Sequence, residues 1–192
     1  MAISGVVSWL PTLDDFIAHW RFVDDIRRPH CFTLSGAYAI GDLEADRAAV
    51  AAAIALVEEC NEHVRTAAVE RDRIRAKLRP RMLQFGPTVR GLLPDSLYLK
   101  SIPITPRLSD SVGTWKTATH QIAHLWATIN QNVPPIDGFT PPLLLSGAFT
   151  QECFAAKVAA LVEAYRKLEE AERRADQARD ARDKRFAPVY QR

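Results

Sequence analysis

Apolar side chains recur every three or four positions through two long stretches of the chain, and this period predicts amphipathic α-helices. The first stretch covers residues 40–84 and the second covers residues 151–185. A shorter apolar stripe precedes each long stretch. The first covers residues 12–27, and the second runs to about residue 130 from residues 109–111, which are candidate helix N-caps. The pattern therefore predicts an all-α protein with two short helices and two long ones.

The second half of the chain resembles the first. Residues 34–38 read LSGAY and residues 145–149 read LSGAF, at an offset of 145 − 34 = 111. Residues 17–20 (IAHW) match 122–125 (IAHL) at an offset of 122 − 17 = 105, which leaves six additional residues in the loop of the second copy. The sequence therefore predicts an internal duplication of one helix–loop–long-helix unit. At the offset of 111 the apolar seams of the long helices coincide, pairing Val50 with Leu161, Ala53 with Ala164, Val57 with Leu168, Cys60 with Ala171, Val64 with Ala175 and Ala67 with Ala178.

The connector between the two copies determines how the long helices meet. It contains Pro87, Pro94, Pro103 and Pro106 among apolar residues, so we expect it to pack on the body of the protein. A packed connector favours an antiparallel pair. In a parallel pair the connector would have to be fully extended, because it would run back along the whole length of a long helix. We predict an antiparallel, coiled-coil-like pair of long helices flanked by the two shorter helices, as a four-helix bundle. The predicted segments are a first repeat at 1–86, the connector at 87–108 and a second repeat at 109–192, together forming a single domain.

Composition agrees with a soluble globular protein. Of the 192 residues 47% are hydrophobic and 25% are charged, and the net charge of +2 gives no strong attraction to DNA or to an anionic membrane. The longest apolar run, at 48–57, is about half of the ~20 residues that a membrane-spanning helix needs. The N-terminus lacks the pattern of a signal peptide, and three cysteines cannot all be paired. We therefore expect a cytoplasmic protein without a membrane span.

Histidines are the candidate metal ligands. His120 and His124 stand four positions apart on the second short helix, so both rings project from one helix face. This spacing is used by helical metal sites. At the offset of 105 the equivalent residues of the first short helix are Asp15 and His19. If the two short helices lie side by side, these four residues form a candidate site for zinc or another divalent metal; the alternative is a set of surface histidines. No other cofactor is expected.

A stretch of basic residues in the first long helix is the candidate nucleic-acid site. Residues 71–81 contain five arginines and one lysine, which is the most one-sided charge run in the chain. We expect nucleic-acid binding only as a third alternative, because acidic and basic residues are balanced elsewhere. No phosphate-binding loop, dinucleotide-binding or nucleophile-elbow motif is present in the sequence, so we expect no enzymatic activity.

The leading hypothesis is a non-enzymatic structural or interaction protein. We expect it to self-associate, as a homo-oligomer or in a larger assembly, or to contact another protein, because long helices and apolar loops offer more apolar surface than a small monomer covers. A metal-binding helical bundle is the alternative. The expected contact residues lie in the two matched loops and are Leu34, Tyr38, Leu143, Leu144, Leu145 and Phe149.

Overall fold

The computed structural model describes residues 6–94, 96–132, 135–136 and 138–190. In this part of the chain the regular structure is helical, with two isolated β-bridges and no strand. The all-α prediction, with two short and two long helices, is confirmed. No described helix combines the length and the apolar character needed to cross a membrane. The α-helices are α1 (Val6–Arg27), α2 (Ile40–Leu92), α3 (Val112–Gln131) and α4 (Gln151–Tyr190), and short 3-10 helices lie at Ser35–Ala37 and Leu97–Ser101.

The end of α2 differs from the prediction. The predicted end near residue 84 is wrong, because α2 continues through Gly86 and Pro87 to Leu92. Its apolar stripe also continues, and Val89 is 0% exposed. Gly86 serves a different purpose: a Cβ atom at this position would lie 3.1 Å from a side-chain carbon of Ile102. The glycine therefore lets the connector pack closely against the helix backbone.

The starts of α3 and α4 lie where they were predicted. Ser111 precedes α3, and its hydroxyl oxygen accepts a hydrogen bond of 3.2 Å from the backbone N–H of Thr114. Thr150 precedes α4 and accepts an equivalent bond of 3.2 Å from the N–H of Cys153. Both caps satisfy backbone N–H groups that have no partner within the helix.

The first helix starts earlier than predicted. α1 begins at Val6, and Pro11 lies inside it. Trp9 is already buried in the core, so the burial of this side chain extends the helix before the proline. The predicted start at residue 12 was therefore wrong by about one and a half turns.

The chain divides into two compact units, and each unit takes helices from both repeats. Unit 1 consists of the described residues of Met1–Val64 and Ala171–Arg192, and unit 2 consists of those of Arg65–Glu170. Unit 1 therefore combines α1 with the first part of α2 and the last part of α4. Unit 2 combines α3 with the last part of α2 and the first part of α4. The compact units thus cut across the repeats at 1–86 and 109–192.

The long helices run antiparallel. In unit 2, Arg75 of α2 donates a hydrogen bond of 2.9 Å to the hydroxyl of Tyr165 on α4. In the same unit, Arg81 of α2 donates a hydrogen bond of 2.9 Å to the backbone oxygen of Ser146, shortly before α4 begins. The position along α2 rises from 75 to 81 while the position of the bonded partner falls from 165 to 146. Opposite progressions define an antiparallel pair, as predicted.

The loop before each long helix has the same backbone in both copies. A β-bridge joins Leu34 to Tyr38, and a second one joins Leu145 to Phe149. Between the bridged residues, Gly36 and Gly147 have φ values of 75° and 74°, and the alanine after each glycine is also left-handed, at 61° and 53°. Two consecutive residues with positive φ are rare, so their recurrence at an offset of 111 supports the duplication on conformational grounds.

The short helices correspond at an offset of 106, not at the predicted 105. The indole N–H of Trp20 donates to the backbone oxygen of Phe32 at 3.2 Å. The indole N–H of Trp126 donates to the backbone oxygen of Leu143 at 3.0 Å. Because Phe32 and Leu143 are equivalent at the offset of 111, the two tryptophans are equivalent as well, at 126 − 20 = 106. The loop insertion in the second copy is therefore five residues long.

A second pair of hydrogen bonds gives the same correspondence. The backbone N–H of Phe32 donates to Oδ1 of Asp24 at 2.6 Å. The N–H of Leu143 donates to Oδ1 of Asn130 at 2.7 Å, again at an offset of 130 − 24 = 106. In each copy one loop residue is therefore held at both its N–H and its C=O by a single short helix. We call this arrangement the loop clamp.

Each unit has its own apolar core. The twelve matched positions of the predicted seam are all buried or half-buried, and two of them, Val50 and Leu161, belong to these cores. The core of unit 1 surrounds Trp9, Leu13, Ile17 and Trp20 of α1. The core of unit 2 is larger; the largest of its fully buried side chains are Trp115, Trp126, Phe85, Phe154, Leu78 and Met82.

Candidate functional site

His120 and His124 line a groove in unit 2. Both side chains are exposed on α3, and the groove runs between α3 and the connector segment at 98–104. It encloses about 1020 Å³. Both histidines line this one groove, and their spacing of four positions on α3 accounts for this.

The groove has a polar, basic lining over an apolar floor. Lys100 of the connector and Gln121 of α3 line it together with the two histidines. Leu125, which is 6% exposed, contributes to the floor with Ile102 of the connector. Among the described residues that line the groove there is no aspartate or glutamate. The groove therefore offers hydrogen-bond donors and positive charge, with no carboxylate from those residues to balance them.

The other two predicted metal ligands lie in unit 1. Asp15 and His19 are exposed on α1. With the corrected offset of 106, the unit 1 equivalents of His120 and His124 are Asp14 and Ala18. In the part of the chain that the structure describes, no group of three or more His, Cys, Asp or Glu side chains is arranged to hold a metal ion. Metal binding by the histidine pair stays a prediction.

Three of the five arginines in the basic segment at 71–81 form hydrogen bonds to backbone oxygens within unit 2. Arg79 donates a hydrogen bond of 3.0 Å to the backbone oxygen of Pro106, and Arg75 donates one of 3.1 Å to that of Leu108. Arg81 donates one of 2.9 Å to the oxygen of Ser146. These arginines attach the connector and the second loop to α2.

The remaining arginines of the segment are paired with acids on the same helix. Arg71 forms an ion pair of 2.8 Å with Asp72, and the bonded Arg71 side chain lowers the pKa of that carboxyl. Arg73 forms an ion pair of 3.4 Å with Glu70. A side chain bonded in this way offers less charge to a phosphate backbone.

Arg75 is buried, at 5% exposure, which is unusual for a charged residue. Its guanidinium lies 5.2 Å from the ring centroids of both Trp115 and Tyr165. Burial raises the pKa of the Tyr165 hydroxyl and outweighs the opposite effect of the Arg75 charge. The unit 1 equivalent of Arg75 is Phe186, which stacks on Trp9 at 4.5 Å. The same place in the fold is thus polar in one unit and apolar in the other.

The loop residues predicted to contact a partner lie mostly inside the fold. Leu143, Leu145 and Phe149 are 0%, 2% and 8% exposed and belong to the core of unit 2. Tyr38 is half-buried and packs against the core of unit 1. A partner can therefore reach mainly Leu144, at 42% exposure, and Leu34, at 36%.

A different apolar surface was missed by the sequence analysis. Phe16, Phe22 and Ile26 of α1 are 60%, 63% and 68% exposed. We call these three residues the α1 face. The available signal was the presence of large apolar residues outside the buried stripe that contains Ile17 and Trp20. Apolar residues beyond a stripe that already fills the core indicate a second apolar surface.

Cys153 is expected to react with iodoacetamide faster than Cys31 at neutral pH. Both cysteines are free and exposed. The hydroxyl and the backbone of Thr150 hydrogen-bond to the Cys153 thiol and lower its pKa, and the thiolate is the reactive form. Mass spectrometry of each cysteine-containing peptide over time measures the two rates. The difference should shrink at a pH of about 10, where thiols are generally ionised. Equal rates at neutral pH would contradict this expectation.

Comparisons of this chain with protein families, curated proteins and solved structures find no match.

Proposed function

We propose that this chain is a non-enzymatic structural or interaction protein that self-associates through the α1 face and thereby scaffolds a larger assembly. The observation that carries this proposal is the exposure of Phe16, Phe22 and Ile26 on one short helix. Burying a large apolar side chain completely stabilises an interface by about 1.5–3 kcal/mol. Three such side chains from each of two copies supply a useful part of the free energy of a micromolar dimer, which is about 8 kcal/mol.

The spacing of the α1 face fits a second copy of the same chain. Phe16 and Phe22 each lie three positions from His19, on opposite sides. In an antiparallel pair of α1 helices with a twofold axis beside His19, Phe16 of one copy lies level with Phe22 of the other. A twofold interface needs this kind of self-complementary patch.

Several charged residues near the α1 face are paired within unit 1, whereas Asp15, next to Phe16, is exposed. Arg21 pairs with Glu44 at 2.6 Å, and Arg47 pairs with Asp14 at 2.8 Å. Arg28 pairs with Asp25 at 2.8 Å. Two copies can approach each other with little repulsion when charges of both signs are balanced locally.

Replacing Phe22 by aspartate is expected to weaken self-association at least tenfold, because a charge is then buried against the apolar partner surface. Sedimentation equilibrium of the full chain, from low to high micromolar concentration, measures the association constant. The matched control is Leu97→Asp, which places the same charge at a position of unit 2 that is 84% exposed.

Two results would overturn the proposal. The first is a wild-type chain that stays monomeric over the whole concentration range. The second is an equal effect of Phe22→Asp and Leu97→Asp, which would show that the α1 face is not the contact. Circular dichroism of each variant confirms that its helices are retained.

The alternatives from the sequence have less support. Nucleic-acid binding through 71–81 is disfavoured, because Arg75, Arg79 and Arg81 donate to backbone oxygens within unit 2. For metal binding, the groove that His120 and His124 share supplies two imidazoles, and the described residues that line it supply no carboxylate. A cytoplasmic location is part of the proposal and is supported by the three free cysteines.

A further inference from the structure

The groove between α3 and the connector contains polar groups that the described fold does not use. Lys100, His120, Gln121 and His124 make no side-chain hydrogen bond or ion pair with the residues that the structure describes. All four line one groove of about 1020 Å³. Binding pockets for small molecules combine a few convergent polar groups with apolar walls at about 300–1,000 Å³. The volume of the groove and its polar side chains without a described partner therefore fit a small-molecule ligand.

The charge of the groove favours an anion over a metal cation. Lys100 carries a positive charge and repels a cation. The described lining contributes no carboxylate, and two imidazoles fall short of the three or four protein ligands of a usual zinc site. The ammonium and imidazole groups instead donate hydrogen bonds, which an oxyanion accepts.

The duplication indicates that the fold itself does not require this basic lining. At the corrected offset of 106, His120 and Gln121 correspond to Asp14 and Asp15 of α1. Asp14 is bonded to Arg47 in unit 1, whereas His120 has no such bond among the described residues. The position of His120 is therefore taken in unit 1 by an acidic residue that is bonded within that unit, whereas in unit 2 it carries a histidine that faces the groove.

The floor of the groove adds an apolar requirement. Ile102 and Pro103 of the connector and Leu125 of α3 line it. A ligand that contacts both the donors and this floor carries an apolar part as well as a charged one. An inorganic ion would use only the polar half of the groove.

We propose that this groove binds a small organic anion. Its carboxylate or phosphate accepts hydrogen bonds from Lys100, His120 and His124, and its apolar part lies on Ile102 and Leu125. The inference concerns unit 2 and does not depend on self-association through the α1 face in unit 1.

Titration of the full chain with benzoate and with phenyl phosphate tests the proposal. Imidazole proton signals in NMR spectra report on each histidine separately. Saturable shifts are expected for His120 and His124, at a dissociation constant of about 1 mM or below. The signals of His19, His30 and His63, which lie outside the groove, serve as internal controls and should not move. Comparison of the two probes distinguishes a carboxylate ligand from a phosphate ligand.

Substitution of the groove lysine provides the second measurement. Lys100→Gln is expected to weaken binding of the preferred probe about tenfold, because one charge-assisted hydrogen bond is lost. The matched control is Lys77→Gln, which removes an exposed lysine from α2 in the same unit and should leave the affinity unchanged. Lys100 is exposed, so its replacement should not unfold the protein.

Three outcomes would overturn the proposal. One is that shifts fail to saturate or are equal at all five histidines, which indicates a nonspecific salt effect. Another is an equal effect of Lys100→Gln and Lys77→Gln. The third is that zinc ions saturate His120 and His124 at a lower concentration than either organic anion, which would assign the groove to a metal.

Discussion

Replacing Trp126 by alanine is expected to lower the free energy of unfolding by about 3–5 kcal/mol. Trp126 is 0% exposed and stands at the centre of the unit 2 core. Its ring centroid lies 5.3 Å from that of Phe85 and 5.7 Å from that of Phe154. The substitution leaves a large cavity between these rings. It also removes the indole N–H that holds the backbone oxygen of Leu143 in the loop clamp. Urea unfolding followed by circular dichroism measures the change.

Trp126→Phe separates the two contributions. This variant keeps an aromatic ring in the core but removes the N–H, so the oxygen of Leu143 loses its described partner, at a cost of about 1–3 kcal/mol. It also gives a folded protein to study if the alanine variant does not fold. The equivalent Trp20→Phe in unit 1 should show a similar cost, since its N–H makes the same bond to Phe32. A loss below about 1 kcal/mol for Trp126→Ala would contradict the central position of this residue.

Replacing Arg75 by methionine is expected to lower the free energy of unfolding by about 2–4 kcal/mol. Methionine has a comparable apolar length but no donors, so the hydroxyl of Tyr165 and the backbone oxygen of Leu108 lose their hydrogen bonds. The stacking of the guanidinium on Trp115 is lost as well. The matched control is Arg73→Met on the same helix. The Arg73 side chain is 64% exposed, so this control should change stability by less than about 0.5 kcal/mol.

A double-mutant cycle tests the cause of the Arg75 effect. In the Tyr165→Phe background the phenol oxygen is absent, so the loss of Arg75 leaves one fewer polar group without a partner. The combined cost should therefore fall below the sum of the two single costs by about 1 kcal/mol. Strictly additive costs would show that Arg75 acts through packing alone and not through its bond to Tyr165. Unit 1 supports the reasoning, because the equivalents of Arg75 and Tyr165 there are the apolar residues Phe186 and Ile54.

Local signals in the sequence predicted the helices and the duplication well. The caps at Ser111 and Thr150 and the seam of the long helices follow from side-chain chemistry and helical period, which act over a few residues. The pair of LSGA loops was found by similarity alone, and the structure supplies its physical basis in the left-handed backbone at Gly36 and Gly147.

Predictions failed where distant residues decide the outcome. Gly86 and Pro87 are helix-ending residues by local propensity, yet the burial of Val89 keeps α2 helical. The IAH matches suggested an offset of 105, whereas the hydrogen bonds of the two tryptophans give 106. A sequence match counts every identical position equally. The structurally equivalent residues are those that make the same hydrogen bonds to the loop.

For the candidate sites, too, the sequence predicted local features and missed those that depend on distant residues. The four-residue spacing of His120 and His124 follows from helical geometry, so the sequence located this pair on one face. It did not indicate that Lys100 lines the same groove, because the position of Lys100 depends on how the connector folds against α3. It also gave the basic segment at 71–81 as a candidate nucleic-acid site, whereas three of its arginines bond to loop backbone.

By itself the sequence determined the number of helices, their approximate limits and the repetition of one unit, because apolar period, capping and turn conformation are local properties. Only the tertiary structure decided which halves of α2 and α4 share a core, which arginine is buried and which apolar side chains stay exposed. These features depend on contacts between residues far apart in the chain, such as Arg75 with Tyr165. The free energy of burying a side chain depends on the surface that covers it, and that surface exists only in the folded protein.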